Sequence, residues 1–156
     1  MRLLFISALA AFAVDQLSKI IVVHAMRLDQ VLLIEVLPPV LVFRMGWNRG
    51  INFGLFDGDS DVLRWSLIAL AVVISVFIVL WAQRQSRPIA RVAAGILVGG
   101  ALANALDRVI YGAVADFLNM SCCGIVNPFT FNLADVAIFA GAIGLIFFAD
   151  DAEKKA

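Results

Sequence analysis

Long apolar runs separated by short polar connections dominate the chain. Runs at about 3–25, 62–81, 92–110 and 132–149 each approach the roughly 20 residues that a helix needs to cross a bilayer. The pattern predicts an all-α membrane protein, one domain over 1–156, with four transmembrane helices. Positive charges set the orientation. Arg2, the cluster Arg84, Arg87 and Arg91, and the pair Lys154 and Lys155 all fall on one side if the chain crosses four times. Both termini are therefore expected in the cytoplasm. The outer connections are then about 26–61 and 111–131, and the second holds no lysine or arginine.

The first outer connection is more than a linker. Residues 31–37 and 40–43 are β-branched and apolar, split by Pro38-Pro39. They predict two short strands forming a small sheet on the outer membrane face. Trp47, Phe53 and Phe56 suit the headgroup zone. Asp57-Gly58-Asp59-Ser60 reads as a turn that caps the second helix, with Asp61 in its first turn. The run behind Met1-Arg2 is too long for a secretory signal core and carries Asp15 and Lys19, so it reads as a retained anchor.

Composition strengthens the membrane reading. The chain is 63% hydrophobic with a mean hydropathy of +0.98, against about 45–50% apolar residues in a soluble domain. Zero net charge argues against nucleic acid as a partner. Cys122 and Cys123 are adjacent, lack metal-ligand spacing and have no histidine nearby, so they are expected to pack within the loop. The single histidine, His24, ends the first run and reads as an interface residue.

Two aspartates carry the candidate chemistry. Asp116 lies just past the third run among apolar neighbours, and Asp135 lies about one turn into the fourth. A carboxylate near hydrocarbon is costly and marks a proton path, an ion path or a catalytic site. Two that meet cannot both ionise easily. One keeps a proton while the other acts as base on a water, which is aspartic protease chemistry and needs no metal or cofactor. Alone, Asp135 would also serve as a favourable charge at a helix start, behind Asn132 as N-cap.

Other polar positions support a site. Gly95, Gly99 and Gly100 let the third helix pack closely in lipid. Gly100, Asn104 and Arg108 share a face, with Asp107 three residues from Asn104. The glycines are expected to pack while Asn104 and Arg108 point toward a site. Asp15 and Lys19, four apart and deep in the first run, are expected to form an intrahelical ion pair, with Asn48 or a backbone carbonyl as a further contact. Only that pair is expected deep, with Asp107, Arg108, Asp116 and Asp135 clustered outward. That distribution favours an interfacial active site over the alternative, a small proton- or ion-coupled transporter. A purely structural membrane subunit would give no reason for two carboxylates in apolar surroundings.

Five blocks appear in order: Asp15-Gln16-Leu17-Ser18-Lys19, Asn48-Arg49-Gly50-Ile51-Asn52-Phe53-Gly54, the stretch from Gly99 to Arg108, Gly112-Ala113-Val114-Ala115-Asp116-Phe117 and Phe131-Asn132-Leu133-Ala134-Asp135. Together they resemble the signature blocks of bacterial lipoprotein signal peptidase (signal peptidase II). The resemblance implies a multi-pass aspartic endopeptidase of the bacterial inner membrane with its site near the periplasmic face. Such an enzyme cleaves diacylglyceryl-modified prolipoproteins just before the lipidated cysteine. Asp116 and Asp135 would be the catalytic dyad. Asn48, Gly50, Asn104, Arg108, Asn132 and Ala134 would surround the site or bind substrate, and Asp15, Lys19 and Asp107 would be structural. Implied partners are prolipoproteins, membrane lipid and cyclic peptide inhibitors such as globomycin, and a monomer suffices. Asn52 stands where the family more often has a small residue, and Ala103 where glycine is frequent.

Overall fold

The computed structural model describes residues 1–50, 61–124 and 127–149. Helix α1 (Arg2–Lys19) continues into a π-helical turn (Ile20–Ala25), closed by a five-residue bond from the Met26 N–H to the Ile21 carbonyl at 2.8 Å. A short helix α2 (Leu28–Val31) leads into strands β1 (Leu33–Leu37) and β2 (Leu41–Asn48). Helices α3 (Asp61–Ala82) and α4 (Pro88–Tyr111) follow, then strand β3 (Val114–Asn119) and helix α5 (Leu133–Phe148).

The helices formed by the apolar runs lie within a few residues of expectation. The first (Arg2–Ala25, π turn included), α3 and α4 are long and apolar enough to cross a membrane. Helix α5 is apolar but has 16 residues, a rise of about 24 Å at 1.5 Å per residue. The third run starts earlier than hydropathy alone indicates because Pro88 opens it. Proline is pre-set for a first helical turn, where its missing N–H costs nothing. The turn 57–60, Asn52, Phe53, Phe56, Lys154 and Lys155 lie outside the described residues.

The predicted two-stranded sheet has a third strand. β2 pairs antiparallel with β1 on one side and β3 on the other. Asp116 therefore sits on a strand rather than in the loop expected over 111–131, opposite Gly46 in the β2 register. Its apolar neighbours have a physical explanation. Ala115 and Phe117 pack into a core with Val22, Val23 and Leu28, and the Phe117 ring meets Phe43 edge-on at 5.8 Å.

Helix α4 is the hub of the bundle, packing against α1, α3 and α5. Its glycines make this possible. A Cβ on Gly95 or Gly99 would run into the backbone carbonyls of Leu4 and Ala8 on α1, and one on Gly100 would sit 2.5 Å from the Ala134 carbonyl of α5. Helix α3 is different: Trp65, Val73 and Phe77 are all more than half exposed, as lipid-facing side chains are. Its base is fixed by Arg64, whose guanidinium donates to the carbonyls of Arg108 and Val109 at 2.7 and 2.9 Å.

Candidate active site

The start of α5 is built by Asn132. Its extended backbone and side chain form a reciprocal cap. The Asn132 Oδ1 accepts the Asp135 N–H at 2.9 Å, and the Asp135 Oδ2 accepts the Asn132 N–H at 3.2 Å. The Asn132 amide also reaches outward. Its Nδ2 donates to Asp116 Oδ1 at 2.6 Å and to Asn104 Oδ1 at 3.1 Å. Asn104 in turn donates from Nδ2 to Asp135 Oδ1 at 2.9 Å. Asn132 thus contacts both candidate aspartates, and Asn104 completes the ring. Asn48, at the end of β2, donates to Asp116 Oδ2 at 3.1 Å.

The environment separates the two carboxyls. Asp116 is buried, whereas Asp135 is half-buried. Burial, then the neighbouring charge of Asp135, push the Asp116 carboxyl up to about 7, against the opposing hydrogen bonds from Asn48 and Asn132 and the positive charge of Lys19. The Asp116 carboxyl therefore holds its proton to a higher pH than an ordinary aspartate does.

Arg108 frames the site without a direct hydrogen bond to either aspartate among those described. Its Nη2 donates to the buried Gly50 carbonyl at 2.9 Å and its Nη1 to the Asn104 carbonyl at 3.3 Å, while its charge acts on Asp116, Asp135 and Asp107. Its Nε is buried without an acceptor among the described residues.

Beneath this layer lies a second polar cluster. Lys19 Nζ contacts Asp15 Oδ2 and Asp107 Oδ2, both at 2.7 Å, and donates to Asn104 Oδ1 at 3.3 Å. Asp15 Oδ1 accepts the Ala134 N–H at 2.8 Å, and Asp107 Oδ2 accepts the Ala115 N–H at 3.2 Å. Each buried carboxylate therefore holds the residue just before one candidate aspartate, and a single ammonium joins them.

Several expectations change here. The Asp15–Lys19 pair forms, but its further contacts run to α4 and α5 rather than to Asn48, which serves Asp116. Asp107 is not part of a separate outward cluster, because it shares Lys19 with Asp15. The cysteines are not packed: Cys122 and Cys123 are both exposed. His24 is exposed and hydrogen bonds the Tyr111 hydroxyl at 3.1 Å. Gln16, not singled out by its sequence context beyond standing next to Asp15, joins this cluster by donating to Asp107 Oδ1 at 2.9 Å.

Comparison with known proteins gives the family of the chain. Residues 7–149 match the sequence profile of peptidase A8, signal peptidase (SPase) II. The lipoprotein signal peptidase of Methylorubrum extorquens is 39% identical over 141 residues, covering 90% of this chain and 81% of that one. That of Rhodopseudomonas palustris is 34% identical over 149 residues, covering 94% and 90%. A bacterial membrane enzyme solved by the in meso method at 2.3 Å resolution superposes with a TM-score of 0.78 at 27% identity, covering 92% of this chain and 85% of that one. A second, at 1.9 Å resolution, gives 0.75 at 27% identity, covering 92% and 90%. With a matched profile spanning nearly its whole length and relatives this similar, the chain belongs to the signal peptidase II family.

Proposed function

We propose that Asp116 and Asp135 form the catalytic dyad of this protein and act on one water between them. Family membership makes the activity that of a lipoprotein signal peptidase: an aspartic endopeptidase of the bacterial inner membrane that removes signal peptides from prolipoproteins. The transporter alternative has no support. The observation that carries the dyad is Asn132, whose side chain donates to Asp116 while its backbone N–H donates to Asp135.

The chemistry follows from the unequal environments. Asp116 holds the shared proton and Asp135, closer to solvent, serves as base. Asp135 takes a proton from the water, which attacks the scissile carbonyl. Asp116 gives its proton to the developing oxyanion, and the proton roles reverse to expel the amine. Asn48 and Asn132 keep Asp116 oriented through this cycle. Arg108, Gly50 and Asn104 line the approach, with the buried Arg108 Nε as a donor for substrate, and Ala134 keeps the wall beside Asp135 small.

The same reading covers topology. A single transmembrane peptidase domain crosses four times, with α5 as the fourth span and both termini cytoplasmic. Arg84, Arg87 and Arg91 lie on the cytoplasmic side. The sheet and the dyad then face the periplasm, where a diacylglyceryl-modified cysteine rests with its acyl chains in the outer leaflet. The scissile bond just before that cysteine is held at the depth of the dyad. Lipid and cyclic peptides such as globomycin are the further ligands of this cleft, and a monomer suffices.

The test is cleavage by the purified protein in detergent. A diacylglyceryl-modified prolipoprotein is expected to release one signal peptide, cut just before the lipidated cysteine. Equal processing of an unmodified precursor would refute the lipid-dependent substrate reading.

A further inference from the structure

The loop between β3 and α5 carries a feature that peptide hydrolysis does not use. Cys122 and Cys123 are adjacent, free and exposed. Buried thiols are inert packing groups, whereas exposed ones are open to exchange. The backbone is already tightly turned at this point. Cys123 has φ of 58° and Gly124 has φ of 80°, and the space beside Gly124 is open. The flanks are fixed. The Ser121 N–H donates to the Val40 carbonyl at 3.3 Å, and Ser121 Oγ accepts the Asn127 N–H at 3.0 Å. The thiol pair therefore sits at the tip of an anchored loop, with small disulfides free to reach it.

We infer that Cys122 and Cys123 form a reversible thiol–disulfide exchange site that closes into a vicinal disulfide on reaction with a small soluble disulfide. One cysteine thiolate attacks the small disulfide, making a mixed disulfide and releasing one small thiolate. The second cysteine thiolate attacks the protein sulfur of that mixed disulfide, forming the Cys122–Cys123 bond and releasing the other. The two protons lost by the cysteines are taken up by the two released thiolates. The cysteines are oxidised and the small disulfide is reduced.

Proximity favours this ring over a lasting mixed disulfide, because the second thiol is on the adjacent residue. Geometry keeps it reversible. Adjacent Cα atoms across a trans peptide are about 3.8 Å apart, below the usual disulfide range of about 4.4–6.8 Å. A bond made there is strained, and strained exposed disulfides are the readily reduced, labile kind. Closure would reshape the turn between the strand bearing Asp116 and the helix bearing Asp135. The exchange itself uses neither aspartate.

The experiment uses the full chain in detergent, reduced, freed of reductant and then incubated with oxidised glutathione. Intact mass and peptide mapping are expected to show loss of two hydrogens at the peptide bearing both cysteines. No glutathione should remain attached at equilibrium, and excess reduced glutathione should restore the starting mass. Cys122→Ser and Cys123→Ser should each retain one glutathione adduct instead. A wild-type protein that carries stable glutathione adducts, or cross-links into dimers, and never shows the two-hydrogen loss would overturn the inference.

Discussion

Lys19→Met tests how the dyad is held. The substitution keeps much of the side-chain volume and removes the ammonium that contacts Asp15 and Asp107, both at 2.7 Å. Both carboxylates are fully buried, so they are left facing each other without a cation. Breaking a buried ion pair in this way costs about 3–5 kcal/mol, a large part of a typical folding free energy of about 5–15 kcal/mol. The loss also reaches the chemistry. Asp15 holds the Ala134 N–H and Asp107 holds the Ala115 N–H, so repulsion between the two carboxylates moves the backbone beside Asp135 and Asp116 in opposite senses. A misplacement of about 1 Å at reacting groups costs on the order of 100-fold in rate. The assay is signal-peptide release by the purified variant, with thermal denaturation followed in the same detergent. We expect kcat to fall about 100-fold with KM little changed, and the denaturation midpoint to drop. A variant with wild-type kcat and midpoint would refute the positioning argument.

Further expectations follow from the same geometry. The kcat/KM profile should decline with a midpoint near pH 7 as Asp116, raised to about 7 by burial and by Asp135, loses the proton that makes it the acid; a flat profile from pH 6 to 9 would contradict the assignment. The sign for stability is fixed too. Asp116 is protonated in the folded chain up to about 7 but ionised above about 4 when unfolded, so its contribution is full below about pH 4 and is lost as pH rises through 7. In chemical denaturation, Asp116→Asn should remove that part of the pH dependence. Gly100→Ala puts a Cβ 2.5 Å from the Ala134 carbonyl, and overpacking of this kind costs about 1–3 kcal/mol; both the thermal midpoint and turnover should fall, since Ala134 adjoins Asp135. Ser7→Ala loses a hydroxyl that, among the described residues, bonds only to the carbonyls of Leu3, Leu4 and Val92, and its cleavage rate should match wild type.

Much of this arrangement could be read from the chain because lipid imposes simple rules. Long apolar runs gave the helices to within a few residues, and the expense of a carboxylate in apolar surroundings singled out Asp116 and Asp135. The cap at Asn132 was legible because capping is local. What was hidden depends on tertiary partners. Strand β3 was missed because Val114–Asn119 is short and its apolar residues read equally well as loop; only pairing with β2 makes it a strand. The links from Asp15 to Ala134 and from Lys19 to Asp107 join residues far apart in sequence, which spacing along one helix cannot reveal. Helical period also could not foresee the π turn after Lys19, where adjacent Val22 and Val23 are both buried against the sheet. Cysteine is usually buried, which favours packing for Cys122 and Cys123, but the turn after β3 exposes both.

In the proposed mechanism Asp116 and Asp135 share the work on one water. The most direct measurement is signal-peptide release by Asp116→Asn and by Asp135→Asn, each purified in detergent and compared with wild type at equal folded concentration. Neither variant should cleave detectably, and each should retain its thermal transition. Turnover by either variant, at any rate above the uncatalysed background, would contradict that mechanism.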